Sequence, residues 1–407
     1  MNDTNKTNIL ILTRKTKENA NSIYNSYTNG IIENYPQAIV LDYFDLYFQN
    51  GKKKFEAEIF KQIAEHQINL VFINFVSGDL TFDLIFLQTI TSKCFLLMNF
   101  YDTELFFEPI DRYYAQCADL VILPAASNFT HSYKLLGINA IATFSLFDTK
   151  LYKKQNLTKD IDISFVGDVS KKSRQAFLNY LLEAGYDVQI FGRGTKNGTV
   201  SFEKMKEIFS RSKINLNFSD TVEERNFNKH TNTDYSLVPE IMQYMTQLKG
   251  RSIESALCGG FVLTQYAIGV EEMFDTDEIA IFKDKKELIE KVKYYLNHDG
   301  RRKQMQEKAY QKALERYDAS RAFSKILTKI DKHNRSKKTI YTDKEFLHNF
   351  ASHHALYFFN FLFKLQLHYA VEEWNIMRHN GIKLTTLLKH LRQQFYYQII
   401  RKILKRK

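Results

Sequence analysis

The sequence predicts an α/β protein with two domains, each a parallel sheet covered by helices, followed by a helical extension. Three observations carry this. Short apolar runs alternate with longer mixed segments over two stretches of chain. A polar, basic interval at 148–160 separates those stretches. After about residue 335 the strand-like runs stop, while aromatics and bases continue. A chain of 407 residues suits two domains, at roughly 100–200 residues each, and either one is large enough to bury a core.

Residues 1–150 form the first unit. Its apolar runs lie at 8–12, 38–41, 68–74, 94–100, 120–123 and 140–146. Each is short and rich in β-branched or aromatic residues, as a strand buried on both faces should be. The intervals are long enough for crossover helices, and 56–65 sets Ile59, Phe60 and Ile63 on one face. Strands alternating with helices imply a parallel sheet with helices on both sides. The alternation restarts in the second unit, 160–333, with strands expected at 161–166, 188–191, 214–218, 261–264 and 278–282. The helix after Gly167 carries Phe177, Leu178, Leu181 and Leu182 on one stripe and stops at Gly185. Further helices are expected at 203–212, 249–258, 285–296, 301–316 and 320–330. Residues 220–246 are polar and fit no element. Residues 334–407 form a basic extension, with helices expected at 356–367 and 384–404.

The formal charge of +11 is unevenly spread. Residues 383–407 hold eight Lys or Arg and no Asp or Glu, which leaves about +3 for the rest of the chain. A balanced body argues against a nucleic-acid partner, whose binding domain would carry charge on a folded face. Cys94, Cys117 and Cys258 fit neither a disulfide framework nor a zinc site. The eleven histidines show no metal spacing, and His353-His354 reads as a surface pair. The N-terminus lacks a signal peptide's apolar core, and no run of eighteen uncharged apolar residues occurs. The expected location is cytoplasmic, at the inner face of the cell membrane if the basic tail binds lipid.

Two constellations point to chemistry. In Phe165-Val166-Gly167-Asp168-Val169-Ser170-Lys171-Lys172-Ser173-Arg174 a strand ends in a Gly turn, a hydroxyl N-cap and a basic helical turn. Glycine lets a ligand approach the backbone, and a helix N-terminus attracts phosphate. Lys171, Lys172 and Arg174 would add charge; the plain alternative is a capped helix with solvated lysines. In Lys249-Gly250-Arg251-Ser252-Ile253-Glu254, Arg251 and Glu254 share a helical face, with Ile253, Ala256 and Leu257 buried opposite. Cations suit a diphosphate, and a carboxylate suits ribose hydroxyls. A surface ion pair of little worth is the alternative.

The stretch Gln247-Leu248-Lys249-Gly250-Arg251-Ser252-Ile253-Glu254-Ser255-Ala256-Leu257-Cys258-Gly259-Gly260-Phe261-Val262-Leu263-Thr264 resembles the signature of group-1 glycosyltransferases. The branch it resembles is the spore-maturation-protein-like one of the GT-B superfamily, related to glycosyltransferase family 4. Gly269-Val270-Glu271-Glu272-Met273-Phe274, Ile163-Ser164-Phe165-Val166-Gly167 and Lys213-Ile214-Asn215-Leu216-Asn217-Phe218-Ser219 are similar to the same branch. The likeness covers 160–330 well, the first half loosely, and the tail after 335 not at all. It implies two Rossmann-like domains facing a cleft, the first binding an acceptor and the second a nucleotide-sugar donor. Carried over by position, Glu254 would hold the ribose. Lys249 and Arg251 would face the diphosphate, with the turn at Gly167 and the backbone near Gly269 and Glu271. The implied reaction moves a sugar to a hydroxyl of a glycan or lipid-linked acceptor in cell-surface polysaccharide synthesis. The donor is a co-substrate, and no cofactor or metal is called for.

Many retaining members carry two glutamates separated by seven residues, and here the earlier position is Thr246. Glu240 is a candidate substitute. In the first domain Asp102 follows the fourth strand at the carboxyl edge, where open parallel sheets bind ligands. It would act on the acceptor hydroxyl as base or orienter; a helix N-cap is the alternative, and Glu104 is a weaker rival. Tyr101 stands where relatives often place His. Asp275-Thr276-Asp277 reads as a turn rather than a metal site. Phe191-Gly192-Arg193-Gly194 also reads as a turn, with Arg193 near the cleft as a further donor contact. The last helix, basic and amphipathic, suits either an anionic membrane or packing on the body. Two other functions stay open: a GT-B-fold nucleotide-sugar epimerase, and a non-catalytic membrane-docked binding subunit.

Overall fold

The structure is a computed structural model that describes residues 7–14, 23–76, 80–169, 171–220, 246–330 and 343–396. Among these, two separate sheets form, and every strand pairing within them is parallel. The first contains β1 (Ile9–Thr13), β2 (Ile39–Asp42), β3 (Leu70–Phe75), β4 (Phe95–Phe100), β5 (Leu120–Leu123) and β6 (Ala140–Ala142) in the order β2-β1-β3-β4-β5-β6. The second contains β7 (Ile161–Val166), β8 (Val188–Phe191), β9 (Ser212–Asn217), β10 (Val262–Gln265) and β11 (Ala280–Phe282) in the order β11-β10-β9-β7-β8.

The continuous apolar runs are explained by two-sided cover. All six residues of β3 and of β4 are buried. Side chains alternate between faces with period two: Leu10, Leu12, Val71 and Ile73 join one core cluster, while Ile9, Ile11, Leu70 and Phe72 join the other. The sixth expected run yields only the three-residue β6, because the chain then leaves for the second sheet.

The chain crosses between the sheets twice at one place. Phe147 N–H donates to the Tyr317 carbonyl at 2.9 Å, and Ala319 N–H donates to the Phe147 carbonyl at 2.9 Å. The returning helix Ala319–Lys329 lies on the first sheet's helix Ile23–Asn34, although it follows the second sheet in sequence. Gly30 makes this approach possible: a Cβ there would stand 2.7 Å from the Ala319 carbonyl carbon. Phe323 then packs edge-on to Tyr27 and Phe72.

Two C-terminal helices, Lys344–Phe363 and Leu367–His379, also join the first domain, and a third, Leu384–Phe395, packs on the first of them. The first begins twelve residues before the expected start, because Asp343 accepts from Glu345 N–H and Phe346 N–H. It ends where Leu365 takes a left-handed φ of 58°. Phe346 and Phe350 pack on Tyr113 and Tyr114. This corrects the reading of His353-His354 as a surface pair: both are buried, since the helix is covered on more than one side. His354 Nδ1 lies 2.7 Å from Glu373 Oε2. Glu373 in turn meets Lys52 Nζ at 3.1 Å and accepts from Thr81 Oγ1 at 2.6 Å. Leu182 is a second correction: it is 45% exposed, while Leu178 and Leu181 face the core. Among the described residues no helix is long and apolar enough to cross a membrane.

Candidate active site

In the second sheet the strand order reverses between β7 and β9, the place where open parallel sheets bind ligands at their carboxyl ends. A cleft of about 390 Å³ lies there. Gly167 and Asp168 after β7, Asn217 and Phe218 from the end of β9, and Arg174, Lys249, Arg251 and Glu254 line it; Ile23, Ser145 and Phe147 contribute from the first domain's side.

The Gly167 turn depends on its neighbour. Gly192 sits at φ +130°, and a Cβ there would stand 2.0 Å from the Gly167 carbonyl oxygen. Only glycine lets the ends of β7 and β8 approach this closely. The helix Lys172–Glu183 follows, with Lys171 at the N-cap and no side-chain cap. The expected hydroxyl cap, Ser170, lies outside the described residues, as does the side chain of Lys172. Arg174 is the base this segment delivers to the cleft. Its Nε donates to Asp220 Oδ1 at 2.8 Å and its Nη1 to the Asp168 carbonyl at 2.9 Å. Lys171 Nζ donates to the Asp220 carbonyl at 3.0 Å. Burial, aided by the Arg174 charge, lowers the Lys171 ammonium to about 8. Asp220 thus organises both bases.

The second constellation lines the same cleft. The helix Arg251–Leu257 buries Ile253, Ala256 and Leu257 and turns Arg251 and Glu254 to the cleft. Arg251 Nη1 pairs with Glu254 Oε2 at 2.8 Å, and Tyr152 Oη donates to Glu254 Oε1 at 2.9 Å. The Arg251 guanidinium also lies over the Phe209 ring at 5.7 Å. Burial pushes the Tyr152 hydroxyl up, and the neighbouring Glu254 adds to it.

Lys249 connects this wall to the first domain. Its Nζ donates to Gln247 Oε1 at 2.5 Å, and Gln247 Nε2 donates to Asp102 Oδ1 at 3.2 Å and to Glu104 Oε2 at 3.4 Å. Burial lowers Lys249, opposed by the charges of Asp102 and Glu104. Asp102 is exposed and left-handed, with φ 54°, a conformation that Asp and Asn tolerate better than most residues with a Cβ. It precedes the short helix Thr103–Phe106 but makes no side-chain cap bond. Glu104 is pushed up to about 7, mainly by burial, with the Asp102 charge adding to it. Tyr101 points inward and donates to Asn74 Oδ1 at 2.9 Å.

Four expected donor contacts do not line the cleft; one is Lys171, whose ammonium turns to the Asp220 carbonyl instead. Arg193 is largely exposed and paired with Asp168. Gly269, at φ +86°, opens the single turn Val270–Met273 and packs on Ala126, which a Cβ would approach to 2.2 Å. Beside it Glu272 accepts from Ser127 N–H and Oγ, so this segment joins the two domains. Glu271 is exposed. Asp275 and Asp277 lie in a turn as expected, each paired with a lysine, Lys312 and Lys308. Glu240 lies outside the described residues. Thr246 forms a bridge with Asp220. Asp220, Gln247 and Tyr152 belong to the site without having been singled out. No local pattern marks them, because their partners lie 46 to 145 residues away.

Residues 172–328 match the model of a family described as glycosyl transferase-like. None of the curated proteins matches the chain. Among solved structures, Anabaena HepE in complex with UDP-glucose is similar at TM-score 0.54 and 14% identity, over 80% of this chain and 100% of that one. Sucrose-phosphate synthase from Thermosynechococcus elongatus is similar at 0.51 and 10%, over 79% and 98%. A glycosyltransferase from Rickettsia africae is similar at 0.52 and 11%, over 80% and 97%. The two parallel sheets share the GT-B fold of these structures, and the glycosyl transferase-like match falls on the second domain.

Proposed function

We propose that this glycosyltransferase takes its sugar from a nucleoside diphosphate donor held at the β7–β9 cleft and transfers it to a hydroxyl presented by the first domain. The supporting observation is the convergence of Arg174, Lys249, Arg251 and Glu254 on one cleft beside the Gly167 turn. Three cations suit a leaving diphosphate. They allow a mechanism that draws on the protein's own charges rather than on a metal. Glu254 would exchange its bonds from Arg251 and Tyr152 for ribose hydroxyls. Uridine diphosphate is the first nucleotide to test, because HepE was solved with UDP and with UDP-glucose.

Asp102, exposed beside Gln247, would receive the acceptor hydroxyl. Glu104 sits near neutrality behind the same glutamine and would keep that wall of the cleft responsive to pH. For the acceptor we retain the sugar hydroxyl of a glycan or lipid-linked chain in cell-surface polysaccharide synthesis.

The test is thermal stabilisation by a panel of nucleotides and nucleotide sugars, on wild type and on Arg251→Ala. A ligand at 100 times Kd adds about 2.7 kcal/mol. Stabilisation of wild type at concentrations that leave Arg251→Ala unmoved supports the donor site. Losing one charge-assisted hydrogen bond should weaken the donor by about 1.5–3 kcal/mol, roughly tenfold or more. Equal stabilisation of both proteins overturns it. Turnover of the donor without acceptor would favour the epimerase. Transfer that dies in chelator and returns with a divalent cation would overturn the metal-free mechanism.

A further inference from the structure

The last two described helices turn apolar stripes outward. Leu367–His379 exposes Leu367, Val371 and Trp374, and Leu384–Phe395 exposes Leu384, Leu388, Leu391 and Phe395. In each helix these positions are four and three residues apart, which places them in one narrow stripe. The helix Leu384–Phe395 is inverted relative to an ordinary surface helix. It buries His390 and Gln394, and His390 Nε2 lies 2.7 Å from Ser352 Oγ. Thr386 Oγ1 lies 3.1 Å from His348 Nε2. Polar contacts and the Phe395 ring on Phe363 hold this helix to the body, and Leu384, Leu388 and Leu391 face water. Scattered exposed hydrophobics are ordinary, but a stripe of them marks an interaction surface.

On these two helices the exposed charge has one sign. The only acids of 364–396, Glu372 and Glu373, turn inward: Glu372 accepts from Lys52 N–H at 2.8 Å and Glu373 is buried. Lys364, Arg378, Lys383, Lys389 and Arg392 are exposed. Residues 397–407, outside the described part, add five more bases and no acid.

We propose that this face docks on an anionic lipid membrane. The apolar stripes would enter the boundary between headgroups and acyl chains, while the flanking Lys and Arg extend to lipid phosphates. A second copy of the chain is a poorer occupant, because a two-fold contact would bring the same bases against themselves. Nucleic acid would meet the bases but leave the leucines in water. The proposal does not depend on the donor site, and its test reads a different signal.

Trp374 is the sole tryptophan of the chain and lies in the first stripe at 38% exposure. The full chain is mixed with vesicles of phosphatidylcholine alone, or of phosphatidylcholine with phosphatidylglycerol. The expected result is a blue shift of tryptophan emission and co-flotation with the phosphatidylglycerol vesicles, both reversed by high salt. Leu384→Ser combined with Leu388→Ser should weaken this by at least roughly tenfold, since two large apolar side chains leave the lipid. Its melting temperature and nucleotide response should stay unchanged, because both side chains are already exposed. Absence of shift and flotation overturns the proposal. So does a double variant that binds as wild type, or a dimer in solution that the double variant dissolves.

Discussion

At the cleft, Arg251 pairs with Glu254 at 2.8 Å, with 31% and 16% of the two side chains open. Beneath the C-terminal helices, Lys52 pairs with Glu373 at 3.1 Å, and the carboxylate is wholly enclosed. The chemistry is the same and the surroundings differ. An open pair interacts weakly, and either member can exchange its partner for a ligand. An enclosed pair cannot, because removing one charge strands the other without water. Around Glu373 the remaining positions are filled as well, by Thr81, Tyr47 and His354. The first cluster is built to be rearranged, and the second ties the C-terminal helices to the helix Lys52–Glu65.

Substitutions can break or sharpen this contrast. The largest effect is expected on rate. Asp102→Asn should lower kcat by about 10²–10⁴-fold, the usual weight of a general base, with donor binding and melting temperature unchanged. A loss of fold instead would make Asp102 a structural residue. Next comes Glu373→Gln, which leaves Lys52 buried without a counter-charge and should cost about 3–5 kcal/mol in denaturant unfolding. Donor affinity of the folded fraction should not move; if it does, the two clusters are coupled and the contrast fails.

Two pH effects are smaller. Burial lowers His353 to about 3 and also lowers His354. Both are therefore neutral in the fold and take up protons on unfolding. Their contribution is present above the unfolded value near 6.5 and is lost as pH falls toward the folded value. His353→Phe should flatten the acid side of the stability profile between about pH 6.5 and 3; an unchanged profile would mean that other groups dominate it. Behind the cleft, where Glu104 meets Gln247 and Lys171 shares Asp220 with the cleft's Arg174, the sign differs by group. Glu104 gains its charge as pH rises through about 7, and Lys171 loses its charge above about 8. Donor affinity should fall above pH 8 in wild type and hold in Lys171→Arg, measured by titration with the nucleotide diphosphate. The smallest effect belongs to Arg193→Ala: this exposed pair should change neither melting temperature nor donor affinity, and a drop in affinity would extend the site to the β8 turn.

Much of this was legible in local sequence. Strands β3 and β4 announce themselves because parallel strands buried on both faces need unbroken apolar residues. Arg251 and Glu254 are grouped by the helical period alone. His353 and His354 were misread because polarity suggests a surface, and only the packing of Phe346 and Phe350 on Tyr113 and Tyr114 shows otherwise. Gln247 gave no signal, since its two carboxylate partners belong to the other domain.

By itself the sequence determined the two strand–helix alternations, the grouping of Arg251 with Glu254 on one helical face, and the basic apolar tail. Each is set by residues a few positions apart, where strand and helix periods act. Tertiary structure alone decided which charges stand open and which are sealed. It also decided that the helix Ala319–Lys329 returns to the first sheet and that Leu384–Phe395 turns its leucines outward. Those outcomes depend on contacts spanning up to about 320 residues, such as Lys52 with Glu373, and burial is a property of the assembled surface rather than of any segment.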